Sequence, residues 1–382
     1  MSDQVQQRYS FSVLRERLSR HGRPVVNFAL GEFDRSLPAS LSEEVRKNSA
    51  RMMRRHSSAE LTDFCDAAVD YLARQYGVEI EPSAILPGPS GRSAMTALAS
   101  CVLEPRNGVV VTEPGYPVFA RLAAHHHARI LVARLDPERD FAPRVDEISE
   151  EDADLVRLIA LNYPNNPTGA VISQAVAEAL EGRFASGTVL FNDAMYGPLT
   201  HEGRAHSILG KDLTGIQDYR RLELHSLSKL FPLGPLGIAF LAGSGPLIEE
   251  IRHYTDFAWS PQSSLQMRAT TRSLQSVEHI AEIRQYFQER LDRLREVLVD
   301  VGFEPYPTPG GMYLLCKAPP AVGGVETPNA QAAADELLDR FDLAVVAWER
   351  PPDGYLRFSS LYSAEDLQAL ERLGDRLALP GR

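Results

Sequence analysis

The sequence predicts an α/β fold in two parts. The large domain rests on a mainly parallel, seven-stranded sheet covered by helices on both faces, and a smaller α+β domain is formed by the N-terminal segment and the C-terminal part. Three observations lead there. From about residue 84, short apolar runs alternate with amphipathic helical stretches. These runs are continuously apolar rather than alternating, which marks strands buried on both faces. After a long amphipathic stretch at about 263–300 the pattern changes to a few strands and two helices. A chain of 382 residues, 44% hydrophobic and 24% charged, can bury a large core and more than one domain. The expected limits are 1–45 for the N-terminal segment of the small domain, 46–275 for the large domain and 276–382 for the C-terminal domain.

In chain order the strands are expected at "AILP" (84–87), "GVVVT" (108–112), "RILVARL" (129–135), "LIALN" (158–162), "TVLFND" (188–193), "RLELHSL" (221–227) and "GIAFLAG" (237–243). Helix patterns such as "GRSAMTALASCVL" and "ISQAVAEALEGRFA" lie between them. A long amphipathic stretch at about 263–300 leads into "GGMYLLCKA", a helix, "LAVVAW", "GYLRFSSL" and a final helix. In open α/β sheets ligands collect beyond the carboxyl ends of the strands, and the notable polar residues fall there.

Of the 40 lysines and arginines only four are lysine: Lys47, Lys211, Lys229 and Lys317. Lys229 stands in "HSLSKLFPLGPLGIAF", beside small hydroxyl residues and before a run with no other charge. It is either a lysine whose tip reaches water or an amine kept for its chemistry, since an amine can deprotonate and act as a nucleophile where a guanidinium cannot. Asp193 ends a buried strand in "TVLFNDAMYGP", with Tyr196 three residues on. Such a carboxylate caps a helix, holds a metal or pairs with a buried cation, for which a pyridinium nitrogen would serve. "LNYPNNPTGAVIS" reads as a tight turn or as a turn presenting the Asn166 amide to a ligand. "LPGPSGRSAMTAL" is a strand, a Gly/Ser turn and a helix start, which is an ordinary cap or a phosphate cradle. Tyr116 in "EPGYPVFARL" is core filler or a surface for a planar ring.

The net charge of −11 and the lack of a long basic run argue against a nucleic-acid partner. No apolar stretch approaches a membrane span and no signal region is recognisable, so a cytoplasmic location is expected. Cys65, Cys101 and Cys316 are expected to be buried free thiols, "HHH" at 125–127 solvated surface, and no metal site is expected.

Taken in order, Glu-Pro-x-Tyr, Asn-Pro-Thr-Gly, Asp-x-x-Tyr, Ser-x-Ser-Lys and Tyr-x-Arg-x-Ser resemble the class I/II aminotransferases, pyridoxal-phosphate enzymes of fold type I. The resemblance runs from "VNFALGEFD" (26–34) to "YLRFSS" (355–360). It implies that Lys229 would hold pyridoxal 5'-phosphate as an aldimine and later move protons on the substrate carbon. Asp193 would keep the ring nitrogen protonated, and Tyr196 and Asn166 would bond the ring hydroxyl oxygen. Tyr116 would stack on the ring, and Gly91, Arg92 and Ser226 would face the phosphate. Arg357 would bind the carboxylate of an amino acid or keto acid, and Gly31 would let the backbone approach it. A homodimer with a shared active site is implied as well.

Two departures from the family pattern stand out. The phosphate-pairing arginine expected eight residues after the lysine is Gly237, so Arg92 either replaces it or is a surface residue. The stretch that usually supplies a tyrosine across the dimer reads "RRHSSAELTDF", where Arg55 or His56 would stand in. The expected activity is transamination of a small amino acid. The alternative is another outcome of the same cofactor, namely decarboxylation, elimination or cyclisation in specialised metabolism. A cofactor-binding regulator is disfavoured, because the roughly 25 residues before "VNFALGE" are too few for a DNA-binding domain.

Overall fold

The structure is a computed structural model that describes residues 10–30, 35–233, 236, 238–350 and 353–379. Gly31 and Gly237, both singled out by the sequence, lie outside the described residues. The chain forms two compact units: Asp34–Asn165 with Ala170–Arg284, and Met1–Phe33 with Asn166–Gly169 and Gln285–Arg382. The four residues of the Asn-Pro-Thr-Gly turn group with the smaller unit.

The larger unit holds eight strands: β1 (Ile85–Gly88), β2 (Gly108–Glu113), β3 (Arg129–Asp136), β4 (Ala142–Pro143), β5 (Val156–Leu161), β6 (Val189–Asp193), β7 (Arg220–Ser226) and β8 (Ala239–Gly243). Their order in the sheet is β1-β8-β7-β6-β5-β2-β3-β4. The run β7-β6-β5-β2-β3 is parallel, β8 is antiparallel to both its neighbours, and β4 is antiparallel to β3. Seven of these strands are the expected ones. The eighth, β4, is two residues long and carries Pro143, so it has neither the length nor the composition of a sequence-level strand signal.

Every residue of β6 and of β8 is buried, as strands covered on both faces require. β3, second from the edge, alternates between buried and exposed positions instead. The core on one sheet face joins Phe191, Leu222 and Leu224 to Ala94 and Leu98, Phe119 and Ala123, and Leu247 and Ile251. Those pairs come in turn from the helices Gly91–Val102, Val118–His125 and Gly245–Ala258. The helix Ser58–Tyr76 starts with a capping box between Ser57 and Glu60 and stops at Gly77, whose φ of 66° suits a glycine C-cap.

In the smaller unit β9 (Tyr313–Lys317), β10 (Val346–Arg350) and β11 (Asp353–Ser359) form an antiparallel sheet with β11 in the middle. Val26–Asn27 runs parallel to Leu343–Ala344. Phe28, Leu294, Leu314, Leu337, Leu356, Phe358 and Leu370 belong to one buried cluster. Cys65 and Cys316 are buried free thiols, whereas Cys101 is only partly buried. No helix among the described residues is long and apolar enough to cross a membrane.

Candidate active site

Strand β7 ends at Ser226 and runs into a turn that carries Ser228 and a half-buried Lys229. The Ser226 hydroxyl donates to Ser228 Oγ at 3.1 Å and accepts the Ser228 N–H at 3.3 Å, which fixes the start of the turn. Asp193, at the end of the adjacent β6, is 5% exposed. Burial pushes its carboxyl up to about 7, against the pull of the Met195 N–H and of the Lys229 charge. The Met195 N–H reaches Asp193 Oδ1 at 3.3 Å, and Asn162 Nδ2 donates to the Asp193 carbonyl at 2.9 Å. The structure therefore brings a buried carboxylate and a lysine within electrostatic reach at two neighbouring strand ends.

The helix Gly91–Val102 opens at the carboxyl end of β1. Ser90 caps it by accepting the Ser93 N–H at 3.1 Å. A Cβ on Gly91 would stand 3.1 Å from Met195 Cε and 3.3 Å from Leu224 Cδ2, so this position is kept small by the residues next to Asp193 and on β7. Arg92 is exposed in the first helical turn. Tyr116 packs at the edge of the core after β2, and Tyr196 is 6% exposed three residues beyond Asp193.

Polar residues that the sequence reading passed over lie on β6 and β7. Asn192 Oδ1 accepts the Tyr163 N–H at 2.8 Å, while its Nδ2 donates to the Tyr163 carbonyl at 3.1 Å and to Glu223 Oε1 at 2.9 Å. The fully buried Glu223 also accepts from the Ser207 hydroxyl, and His225 Nε2 lies 3.1 Å from Glu223 Oε2. Burial raises the Glu223 carboxyl, but the adjoining His225 ring and the hydrogen bonds from Asn192 and Ser207 outweigh it and hold it below the usual carboxylate range. The His225 ring stacks on Phe240 at 5.2 Å. A signal was available: "RLELHS" places Glu and His at alternate positions of a central strand, where buried polar groups call for partners.

In the smaller unit Arg357, on the central strand β11, is 2% exposed. Its Nη1 donates to Asn166 Oδ1 and its Nη2 to the Ala29 carbonyl, each at 3.1 Å, and its guanidinium carbon lies 4.0 Å from the centre of the Tyr313 ring. Tyr313, opposite Ser359, shares the strand face of Arg357, whose own partners across the sheet are Leu315 and Val346. Asn166 is held next to the cis peptide Asn166–Pro167. Gly169 has a φ of +73°, and a Cβ there would stand 2.5 Å from Thr308 Cγ2, so this turn requires its glycine.

The sequence model of the family described as aminotransferase class I and II matches residues 23–373. The chain belongs to that family. The aminotransferase is 28% identical over 361 residues to the LL-diaminopimelate aminotransferase of Methanocaldococcus jannaschii, covering 92% of this chain and 84% of the relative. It is 27% identical over 382 residues to the L-glutamine--4-(methylsulfanyl)-2-oxobutanoate aminotransferase of Bacillus subtilis, covering 95% and 92%. Its fold matches that of the N-succinyldiaminopimelate aminotransferase of Mycobacterium tuberculosis with a TM-score of 0.83 at 22% identity, over 97% of this chain and 98% of the other. The protein is accordingly an enzyme of the pyridoxal-phosphate-dependent aminotransferase type, with the α/β fold of that family.

Proposed function

We propose that this aminotransferase binds pyridoxal 5'-phosphate at Lys229 and moves the amino group of a small amino acid to a keto acid. The observation that carries the reading is the pairing of a buried carboxylate, Asp193, with the amine of Lys229 at adjacent strand ends. The residues present fit the cofactor. A buried carboxylate suits a protonated ring nitrogen, and the Ser226 hydroxyl with the helix start at Gly91 suits a phosphate. Gly91, where a Cβ would press on Met195 and Leu224, lets the helix start lie close to β7 and the residues after Asp193, which suits the same assignment.

When bound, the cofactor supplies an electron sink for the bond broken at the substrate Cα. Lys229 would hold it and would carry a proton to and from that carbon, which no guanidinium could do. Asp193 keeps the ring nitrogen protonated. By the family resemblance, Tyr196 and Asn166 would donate to the ring hydroxyl oxygen and Tyr116 would cover the ring face. Arg92 supplies the phosphate's cation, a part for which its place in the first turn of the helix is favourable. Arg357, fixed by two neutral acceptors and an aromatic face, receives the substrate carboxylate, and Gly31 admits the substrate beside the backbone.

The enzyme works in the cytoplasm as a homodimer. The exposed Met52 and Met53 inside "RMMRRH" support the dimer, since 54% and 91% exposure of adjacent methionines suits a surface that a second copy covers. Borohydride reduction of the cofactor-loaded protein followed by peptide mapping tests the central claim. The label should sit on Lys229, and a label on Lys47, Lys211 or Lys317 would overturn the assignment. A panel of amino acids, scored by loss of the cofactor's visible absorption, then identifies the donor.

A further inference from the structure

Asn27 has no part in the roles above, yet its side chain is fully engaged. Val26 and Phe28 on either side are laid against the Leu343–Ala344 strand, with the Val26 N–H on the Asp342 carbonyl at 2.8 Å and the Phe28 N–H on the Ala344 carbonyl at 2.9 Å. The Asn27 N–H itself reaches Asp366 Oδ1 at 2.8 Å. The amide then folds back on the chain. Its Oδ1 accepts the N–H groups of Ala29 and Leu30, both at 3.1 Å, and its Nδ2 donates to the Leu30 carbonyl at 2.6 Å. Two donors and one carbonyl suit only one orientation of the amide, so the turn 27–30 is closed by a single side chain.

The turn leaves the Ala29 carbonyl aimed at Arg357 Nη2, 3.1 Å away. Ala29 is 1% exposed and Arg357 2%, so water does not stand in for either group if the turn shifts. Ala29 O and Asn166 Oδ1 hold the guanidinium in its plane, while the Tyr313 ring supports its face. Neutral acceptors orient the fork without cancelling its charge.

We propose that Asn27 is a positioning residue for the substrate: it sets the Ala29 carbonyl, which sets the plane in which Arg357 meets the incoming carboxylate. The proposal rests on the reading of Arg357 as the carboxylate-binding residue.

The test uses the full-length, cofactor-loaded enzyme with Asn27→Ala, Asn27→Ser, Arg357→Lys and the Asn27→Ala/Arg357→Lys double variant. It records kcat, KM for amino acid and keto acid, the dissociation constant of pyridoxal phosphate, and the melting temperature. Asn27→Ala should raise both KM values about fivefold to tenfold, the loss of roughly one hydrogen-bond equivalent, with kcat and cofactor affinity little changed. Asn27→Ser keeps an acceptor for the Ala29 N–H and should recover most of this, leaving a rise of about twofold. In the Arg357→Lys background Asn27→Ala should add almost nothing, because the guanidinium it positions is gone.

A fall in melting temperature with both KM values unchanged would overturn the proposal, as would fully multiplicative effects in the double variant. Normal KM values in Arg357→Lys would instead show that the carboxylate reading itself is wrong, and the role of Asn27 falls with it. If Asn27→Ala does not accumulate as folded protein, wild-type KM values in Asn27→Ser overturn the proposal.

Discussion

Asp193 sits where its ionised form is costly, and that cost depends on pH. Its carboxyl is raised from 3.8 to about 7, so the stability it contributes is fully present below pH 3.8 and lost as the pH rises through 7. Without cofactor, the protein should therefore lose stability between pH 5 and pH 8, by about 2 to 3 kcal/mol of the roughly 4 kcal/mol that the full shift represents. Urea unfolding of the cofactor-free protein at several pH values measures this, and Asp193→Asn should remove the slope. Saturation with pyridoxal phosphate should flatten it as well, because a cation against the carboxylate restores its ionised form. A second test at this scale concerns Gly169. Its positive φ and the 2.5 Å approach to Thr308 mean that Gly169→Ala should destabilise the fold by roughly 1 to 3 kcal/mol, read as a shift in the denaturation midpoint. Lys229 and Asp193 were singled out in the sequence because each puts a charge into or beside an apolar run, and Arg357 was singled out only through the family resemblance. Asn27 was not, because an asparagine that bonds its own backbone looks like any turn residue until its carbonyl partner is known.

At the scale of the element, β7 shows what alternation can hide. Leu222 and Leu224 enter the core that contains the helix Gly91–Val102, whereas His225 meets Tyr71, Tyr76 and Phe240. The strand alternates polar and apolar residues, and its existence, though not its neighbours, was expected from the sequence. What its polar residues do depends on β6 and on the turn at Ser207, which are separated from it in sequence and meet it only in the fold. Glu223→Ala leaves Asn192, Ser207 and His225 facing a hole and should cost about 3 to 5 kcal/mol, whereas Glu223→Gln, which keeps an acceptor for Asn192, should cost about 1 to 2 kcal/mol. Denaturant titrations of both variants separate the two values, and equal losses would mean that the carboxylate acts only by filling space. The boundaries of the other six expected strands held to within two residues, since most of them are runs of buried apolar side chains.

At the scale of the whole molecule, the alternation of strand and helix made the α/β class legible, while the membership of each unit was not. Asn166–Gly169 stands in the sequence among strands of the larger unit but belongs by contact to the smaller, and nothing in "NNPTG" announces this. The proposed dimer makes a prediction at the same scale. Met53→Asp should shift the protein towards a monomer in sedimentation velocity and lower its activity in parallel, and an active wild-type monomer would exclude the shared site. The three-segment composition of the smaller unit also bears on how a ribosome delivers the chain. Val26 pairs with Leu343 and Phe28 packs in a cluster that includes Leu370, so these early residues are made more than 300 positions before their partners. The sheet of the larger unit is complete in sequence by Gly243, long before that. During synthesis the larger unit has all its strands while the N-terminal strand is still without its neighbour. The smaller unit is therefore the last to mature, and a nascent chain halted before Leu343 should hold a protease-resistant sheet with an N-terminal segment that is still cleaved.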